Sequence, residues 1–341
     1  MHRTPNGRGD GRNASRWRPF CWGWNVNCTL MSSGDIRLRL AKQCLQTSML
    51  KTIPVINNKG GVGKTTTAVN VAAGLARRGR NVLLVDLDSQ GSASVSLGVN
   101  QNDLSPSSAD VLFGERSLRD TIRSTAVDNI DLLTGSLELA NADVRLKQQE
   151  RGQYRLASVL EEVEDEYQSI LIDCAPSTSI LSVNALVAAD AFIIPVTPSY
   201  LALEGVVSLG EVVRRVRRGI GEAAPILGLA LTMVDRSEPQ VDDAIEQLRN
   251  HYGGKVFDTV IRKDPKLEEA PSRNMDIFRY APDSQGAQDY QKLIDEVEER
   301  LQRYGSVYGS LQDGGSNGTS EDPTPAPDAG STPSSKASSA R

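Results

Sequence analysis

Eleven residues, Asn57-Asn58-Lys59-Gly60-Gly61-Val62-Gly63-Lys64-Thr65-Thr66-Thr67, constrain the fold of this chain more than any other stretch. Three glycines fall within four positions, after the apolar run 51–56 and before a run with Val69, Ala72, Ala73 and Ala76 at helical spacing and Gly79 as its stop. The pattern predicts a strand over 51–56, a sharp turn, and a helix from Thr65 to Arg78. Glycine-rich backbone at a helix N-terminus turns successive N–H groups into one concavity, a cradle for phosphate oxygens. On that reading Asn58, Lys59, Gly60, Gly61, Val62, Gly63, Lys64, Thr65 and Thr66 form a phosphate-binding set. Lys64 supplies a mobile cation for the β and γ phosphates of a nucleotide, and the Thr65 hydroxyl is a hard ligand suited to Mg²⁺. The common nucleotide loop has a glycine where Asn58 stands and needs a single lysine. Lys59 is the departure: it is either a solvated loop charge or a cation aimed at a nucleotide held by a second subunit.

Downstream runs place acids beside this loop. Val82-Leu83-Leu84-Val85 reads as a buried strand that ends in Asp86-Leu87-Asp88. A period of two puts both carboxylates on one side at the carboxyl end of the strand, where a doubly wound sheet has its ligand crevice. One strand-end carboxylate is as often a helix cap, whereas a pair followed by Ser89-Gln90-Gly91 is more specific. The run 169–172 ends in Asp173, an acid suited to hold Mg²⁺ through water. Cys174 reads as a small buried residue rather than a redox group. Further strands are expected at 130–133, 191–196, 226–234 and 256–261. Helices are expected at 137–149, at 203–218 with Val206, Val207, Leu209, Val213 and Val216 buried, and at 284–304. This alternation predicts one α/β domain with a doubly wound, mainly parallel sheet and helices on both faces. Pro54 stands against it locally, since proline removes a ladder donor from a central strand.

The string from Lys59 to Thr66 resembles the deviant Walker A motif of the partition ATPases, the ParA/Soj and MinD group of P-loop NTPases. The stretch 86–91 is similar to that family's Asp-x-Asp-Pro-Gln-Gly, with Ser89 in place of proline. Asp173-Cys174-Ala175-Pro176 is similar to Asp-x-Pro-Pro, and 231–235 to Leu-Thr-Met-x-Asp. The stretch 262–272 looks like Ile-Pro-Arg-x-x-Arg-Leu-x-Glu-Ala-Pro-Ser, with Lys263 and Lys266 where the arginines stand. The resemblance spans roughly 49–304. It implies a slow, partner-stimulated ATPase that uses ATP and Mg²⁺. It further implies that Lys59, Lys64 and Asp88 are catalytic: Lys59 reaches across a dimer interface to the partner's ATP, and Asp88 orients or activates the attacking water. Thr65 then ligates the metal, with Asp86 and Asp173 acting through water. The implied partners are a second copy on ATP binding, a ParB-type centromere-binding protein, and DNA held without sequence preference through Arg236, Arg262, Lys263 and Lys266. A cytoplasmic, nucleoid-associated location follows. Two alternatives remain: a MinD-like or cargo-positioning ATPase acting on a membrane or protein complex, and an ATP-controlled regulatory binding module.

Charge decides little, because 38 basic against 43 acidic residues leave a net −5, so any anionic partner needs a local patch. Arg214, Arg215, Arg217 and Arg218 close one predicted helix, where the helix dipole alone favours cations, a reading preferred here to the alternative of a DNA contact. Four cysteines form no framework, and no apolar run approaches the roughly 18 residues that span a bilayer. Residues 1–48 are Arg-rich and predicted to be disordered. They are read as translated sequence ahead of a native start at Met49, in preference to a DNA-touching arm or a targeting peptide. The final helix carries Asp289, Asp295, Glu296, Glu298 and Glu299 opposite its apolar face, which argues against stable membrane association. From Gly305 to residue 341 a Ser/Pro/Gly-rich disordered tail is expected.

Overall fold

Strand β1 (Thr52–Val55) forms although its third residue is proline. The Ile56 amide donates to the carbonyl of Ile193 on the next strand at 3.0 Å. With period two, the Pro54 nitrogen faces that same side, along which β1 shares the single register pair Val55–Ile193. On its other side the ladder is continuous from Thr52 opposite Ile170 to Val55 opposite Asp173. The missing donor falls where no continuous ladder needs it, so the local doubt raised by Pro54 is resolved.

In the computed structural model the described residues are 52–313, apart from 177, 200–201 and 221–223; the expectations for 1–48 and for the chain after 313 lie outside them. Beyond β1 come β2 (Val82–Leu87), β3 (Arg123–Ser124), β4 (Ile130–Leu133), β5 (Ser169–Cys174), β6 (Phe192–Val196), β7 (Ile226–Val234) and β8 (Val256–Arg262). They form one eight-stranded sheet in the order β3-β4-β2-β5-β1-β6-β7-β8. Every pair is parallel except the two-residue edge β3–β4. This is the expected doubly wound α/β fold.

A strand covered on both faces divides its side chains between two cores. Leu83, Val85 and Leu87 of β2 enter one, together with Val206, Leu209, Val212 and Val216 of the helix Ala202–Ile220. Val82 and Leu84 enter the other, with the helix Lys64–Arg77 and the last helix, Gln285–Asp313. Those two helices approach closely because Gly74 lies between them: a Cβ there would stand 1.9 Å from the Ile294 Cδ1.

Several expectations need correction. Val207 is 48% exposed, and Val212 takes its place in the core. The helix expected over 137–149 is a 3₁₀ turn, Leu137–Asn141, followed by a short α-helix, Ala142–Lys147. Helices Arg155–Leu160, Ile180–Ala188 and Gln240–Tyr252 occupy stretches without an expected element. The last helix continues to Asp313 instead of stopping at Tyr304. Its acids are not a free face. Asp295 and Glu298 pair with Arg78, Glu298 also with Arg80, and Glu296 accepts the amides of Asp258 and Thr259. Its apolar side, Leu293, Ile294, Val297 and Leu301, is fully buried. Over its described side chains, up to Tyr304, the helix therefore has no apolar face left for a bilayer, a stronger reason than charge repulsion. Among the described residues, no helix is long and apolar enough to cross a membrane.

Candidate active site

Three adjacent strands deliver the site. β5 lies between β1 and β2, in a register that sets Asp173 opposite both Val55 of β1 and Asp86 of β2. The loop after β1 thus emerges beside two strand-end acids, where β5 hands the chain to β6 on the far side of β1.

Gly61 and Gly63 take φ angles of 71° and 78°, a left-handed backbone that glycine adopts freely. Gly63 leads into the helix Lys64–Arg77 without a side-chain cap, so the first-turn amides are left to face the concavity. Around Gly60 and Gly61 a Cβ would meet nothing within 4 Å, so the cradle is open. Asn57 braces it, donating to the Pro195 carbonyl at 2.7 Å and accepting the Lys59 amide at 3.0 Å. Thr232 holds the other side through its hydroxyl, 2.9 Å from the Val62 carbonyl. The Lys64 ammonium is buried and donates to the Lys59 carbonyl at 2.9 Å. Burial lowers its pKa, while Asp173, Cys174 and Asp88 pull it back up.

The two strand-end acids differ sharply. Asp86 is fully buried, and its carboxylate accepts the Asp88 amide at 3.0 Å, the Ser94 amide at 2.9 Å and the Ser94 hydroxyl at 2.7 Å. Burial still pushes its pKa up to about 6 against those bonds. Gly135 closes over this knot: a Cβ there would come within 2.5 Å of the Asp88 carbonyl and 2.7 Å of Asp86 Oδ1. Asp86 thus fixes the turn that carries Asp88, with three of its roughly four acceptor positions already taken. Asp173 is equally buried, yet neither of its oxygens has a hydrogen-bond partner. Burial and the neighbouring Asp86 hold its pKa well above the usual carboxylate range. The nearby Thr65 hydroxyl, outside hydrogen-bond geometry, and the Lys64 ammonium offset part of that rise.

A buried carboxylate with no donor is costly unless something cationic completes it. With the Thr65 hydroxyl and the open glycine cradle, Asp173 makes a hard-oxygen set that fits a nucleotide phosphate with Mg²⁺. Among the described residues, no cluster of three or more His, Cys, Asp or Glu could hold a metal unaided. That suits an ion which shares its shell with substrate phosphates instead of sitting in a protein cage. Asp88 is half-buried; its Oδ1 accepts the Gln90 amide at 3.0 Å, and its Oδ2 accepts from no described residue. Lys59 is exposed, and its ammonium pairs with no described acid. Cys174 is buried and free, as expected.

The four expected DNA-contacting cations are all partnered. Arg262 grips the buried Asp289 through Nε at 2.9 Å and through its own amide at 3.0 Å. Arg236 pairs with Asp242 at 3.0 Å, Lys263 with Asp235 at 3.8 Å, and Lys266 with Glu269 at 2.6 Å. Beside them opens a cavity of about 270 Å³ lined by Gly63, Thr66, Met233, Arg262, Leu267 and Pro271. Met233 is 41% exposed with φ at 54°, a conformation a bulky residue rarely takes away from functional sites. Neither this cavity nor the roles of Ser94 and Gly135 is apparent in the sequence.

A protein-family model described as an AAA domain matches residues 50–224. Sporulation initiation inhibitor protein Soj of Bacillus subtilis is 41% identical over 249 residues, covering 73% of this chain and 98% of that protein. Chromosome partitioning protein ParA of Caulobacter vibrioides is 38% identical over 250 residues, covering 73% and 94%. Among solved structures, the septum site-determining protein MinD of Pyrococcus horikoshii complexed with Mg-ADP aligns with a TM-score of 0.62 and 28% identity, over 74% of this chain and 97% of that one.

Proposed function

The chain belongs to the Soj and ParA family of chromosome-partitioning ATPases, and we propose that it segregates DNA by ATP-gated dimerisation. Its reaction is the hydrolysis of ATP to ADP and phosphate, with Mg²⁺. The metal, when bound, neutralises charge that develops on the transferring phosphoryl oxygens. The chain's own residues divide the remaining work. The amides from Gly60 to Thr66 hold the phosphates, and Lys64 balances their charge. Thr65 would hold the metal through its hydroxyl, and Asp173 would hold it through water. The open Oδ2 of Asp88 orients the attacking water in line with the γ phosphate, and Asp86 keeps the Asp88 turn in place without touching substrate. The cavity beside Gly63 takes the adenine, with Met233 and Pro271 against its faces.

One observation carries the dimer: Lys59 is an exposed cation at the rim of the phosphate cradle, and its ammonium pairs with no described acid. A lysine so placed serves a nucleotide held by a second copy. Dimerisation then creates a duplex-DNA binder without sequence preference, and a ParB-type centromere-binding partner speeds hydrolysis and release. A cytoplasmic, nucleoid-associated location goes with this reading. The buried apolar side of the last helix weighs against a MinD-like membrane role.

The test is light scattering together with duplex binding across a salt series. With a non-hydrolysable ATP analogue the protein should dimerise and bind duplex of random sequence, and with ADP it should do neither. Lys59→Ala should stay monomeric with the analogue while melting at the wild-type temperature. Dimers in that variant would refute the role across the interface, and duplex binding indifferent to nucleotide would refute the gating.

A further inference from the structure

The cations best placed to meet an anionic polymer are not those beside the nucleotide loop. Arg214, Arg215, Arg217 and Arg218 lie on the helix Ala202–Ile220 opposite Val206, Leu209, Val212 and Val216, which are buried in the core. All four arginines are exposed, and none makes a hydrogen bond or an ion pair with any described residue. Glu211, one turn earlier, is exposed and pairs with none of them. By contrast Arg236, Arg262, Lys263 and Lys266 each hold a carboxylate. The helix dipole accounts for a cation or two in the last turn, where Arg217 and Arg218 sit, but not for four charges within five residues that no described residue neutralises, in a chain whose net charge is −5.

We infer that this arginine face is the principal DNA-phosphate contact of the protein. The inference rests on the duplex-binding reading above and says where on the surface that binding occurs. Guanidinium groups make charge-assisted, often bidentate bonds to phosphate, and such contacts fix position without reading sequence. The occupant is a duplex backbone and not a lipid surface, because the apolar side of this helix is spent in the core and, among the described residues, Val207 is the one large apolar side chain it leaves exposed, too little to insert. The same helix touches the nucleotide loop through Ser208, whose hydroxyl accepts from Asn58 at 3.3 Å. An ATP-gated dimer carries two such faces, so that each weak contact is reinforced by the other and the apparent affinity rises on dimerisation.

The experiment measures log Kobs against log[KCl] for a random-sequence duplex, using the full chain with a non-hydrolysable ATP analogue. The variant Arg214→Ala/Arg215→Ala/Arg217→Ala/Arg218→Ala should flatten the slope by about 3 to 4 per subunit and weaken binding at least about 100-fold near 0.1 M salt. The corresponding all-lysine variant should keep most of the slope, because it keeps the charge. Should the alanine variant melt early, Arg214→Gln/Arg218→Gln carries the same test at about half the slope change. A wild-type slope in the alanine variant overturns the inference and leaves the duplex-binding reading standing. So does a slope lost only with Lys263→Ala/Lys266→Ala. Absence of ATP-dependent duplex binding in the wild type overturns both. Pelleting of the wild type with phosphatidylserine vesicles, without duplex binding, does the same.

Discussion

Asp86 and Asp173 stand opposite each other on neighbouring strands, both wholly shielded from water, and they are built for opposite ends. Asp86 is saturated by the Asp88 amide and by both donors of Ser94. Asp173 has none. A saturated buried acid behaves as a rivet, because its donors would be stranded without it. An orphaned one raises the energy of the fold and is retained for what binds it. The difference separates stability from chemistry within one register pair, and each acid can be removed to test that separation.

The largest effect on stability is expected from Asp86→Ala. It leaves two amides and a hydroxyl without an acceptor in the core, a loss of about 2–4 kcal/mol even after relief of the buried charge. Urea denaturation measures it, and a variant as stable as wild type would erase the contrast. Asp173→Asn should act the other way. Removing an uncompensated buried charge should leave stability unchanged or raise it by about 1 kcal/mol. Mg²⁺-dependent ATP turnover should fall about 10- to 100-fold, as for other outer-shell metal partners. If turnover survives while stability drops, Asp173 is a structural acid and its role in the metal shell is wrong.

Both acids were legible in the sequence but their difference was not, since each read as an acid of the metal shell, and the limits of that legibility have physical causes. Buried parallel strands are continuous apolar runs, so an acid that ends one stands out, as Asp86 and Asp173 do. The glycine-lysine loop is legible because glycine takes freely the left-handed backbone that Gly61 and Gly63 adopt, which costs other residues more. What saturates Asp86 is not legible: Ser94 lies in the following helix, and Gly135 follows a strand on the far side of β2. Pairing is equally hidden: nothing in the sequence joins Arg262 to Asp289, on the last helix, which holds it. The helix Ile180–Ala188 has no polar face to give a helical period, having entered the core with Leu181, Ala185 and Leu186. Loop chemistry is local, whereas neutralisation of charge is tertiary, and this is why the acids that pair with Arg236, Arg262, Lys263 and Lys266 were not apparent from the sequence.

The smallest expected effect discriminates best between the two acids, and it lies in the pH dependence of stability. Asp86 ionises at about 6 in the folded protein against an ordinary 3.8, and Asp173 is raised well above the same ordinary value. Between those limits the native state binds more protons than the unfolded chain. Stability must therefore fall as pH rises from about 4 to about 6, and the raised Asp173 adds to that fall with the same sign. Lys64 has the opposite sign, since a lowered ammonium pKa makes stability rise with pH, so the acids are read from the difference between wild type and variant. Urea midpoints at intervals from pH 4.5 to 7.5 should fall less steeply for Asp173→Asn than for wild type, with the two curves separating by about 1 kcal/mol toward the upper end. Saturating ATP analogue and Mg²⁺ should flatten the wild-type curve in the same way, because a bound cation removes the reason for Asp173 to hold its proton. Parallel curves for wild type and variant, with or without ligand, would mean that Asp173 is compensated within the fold and is no more open to a metal than Asp86.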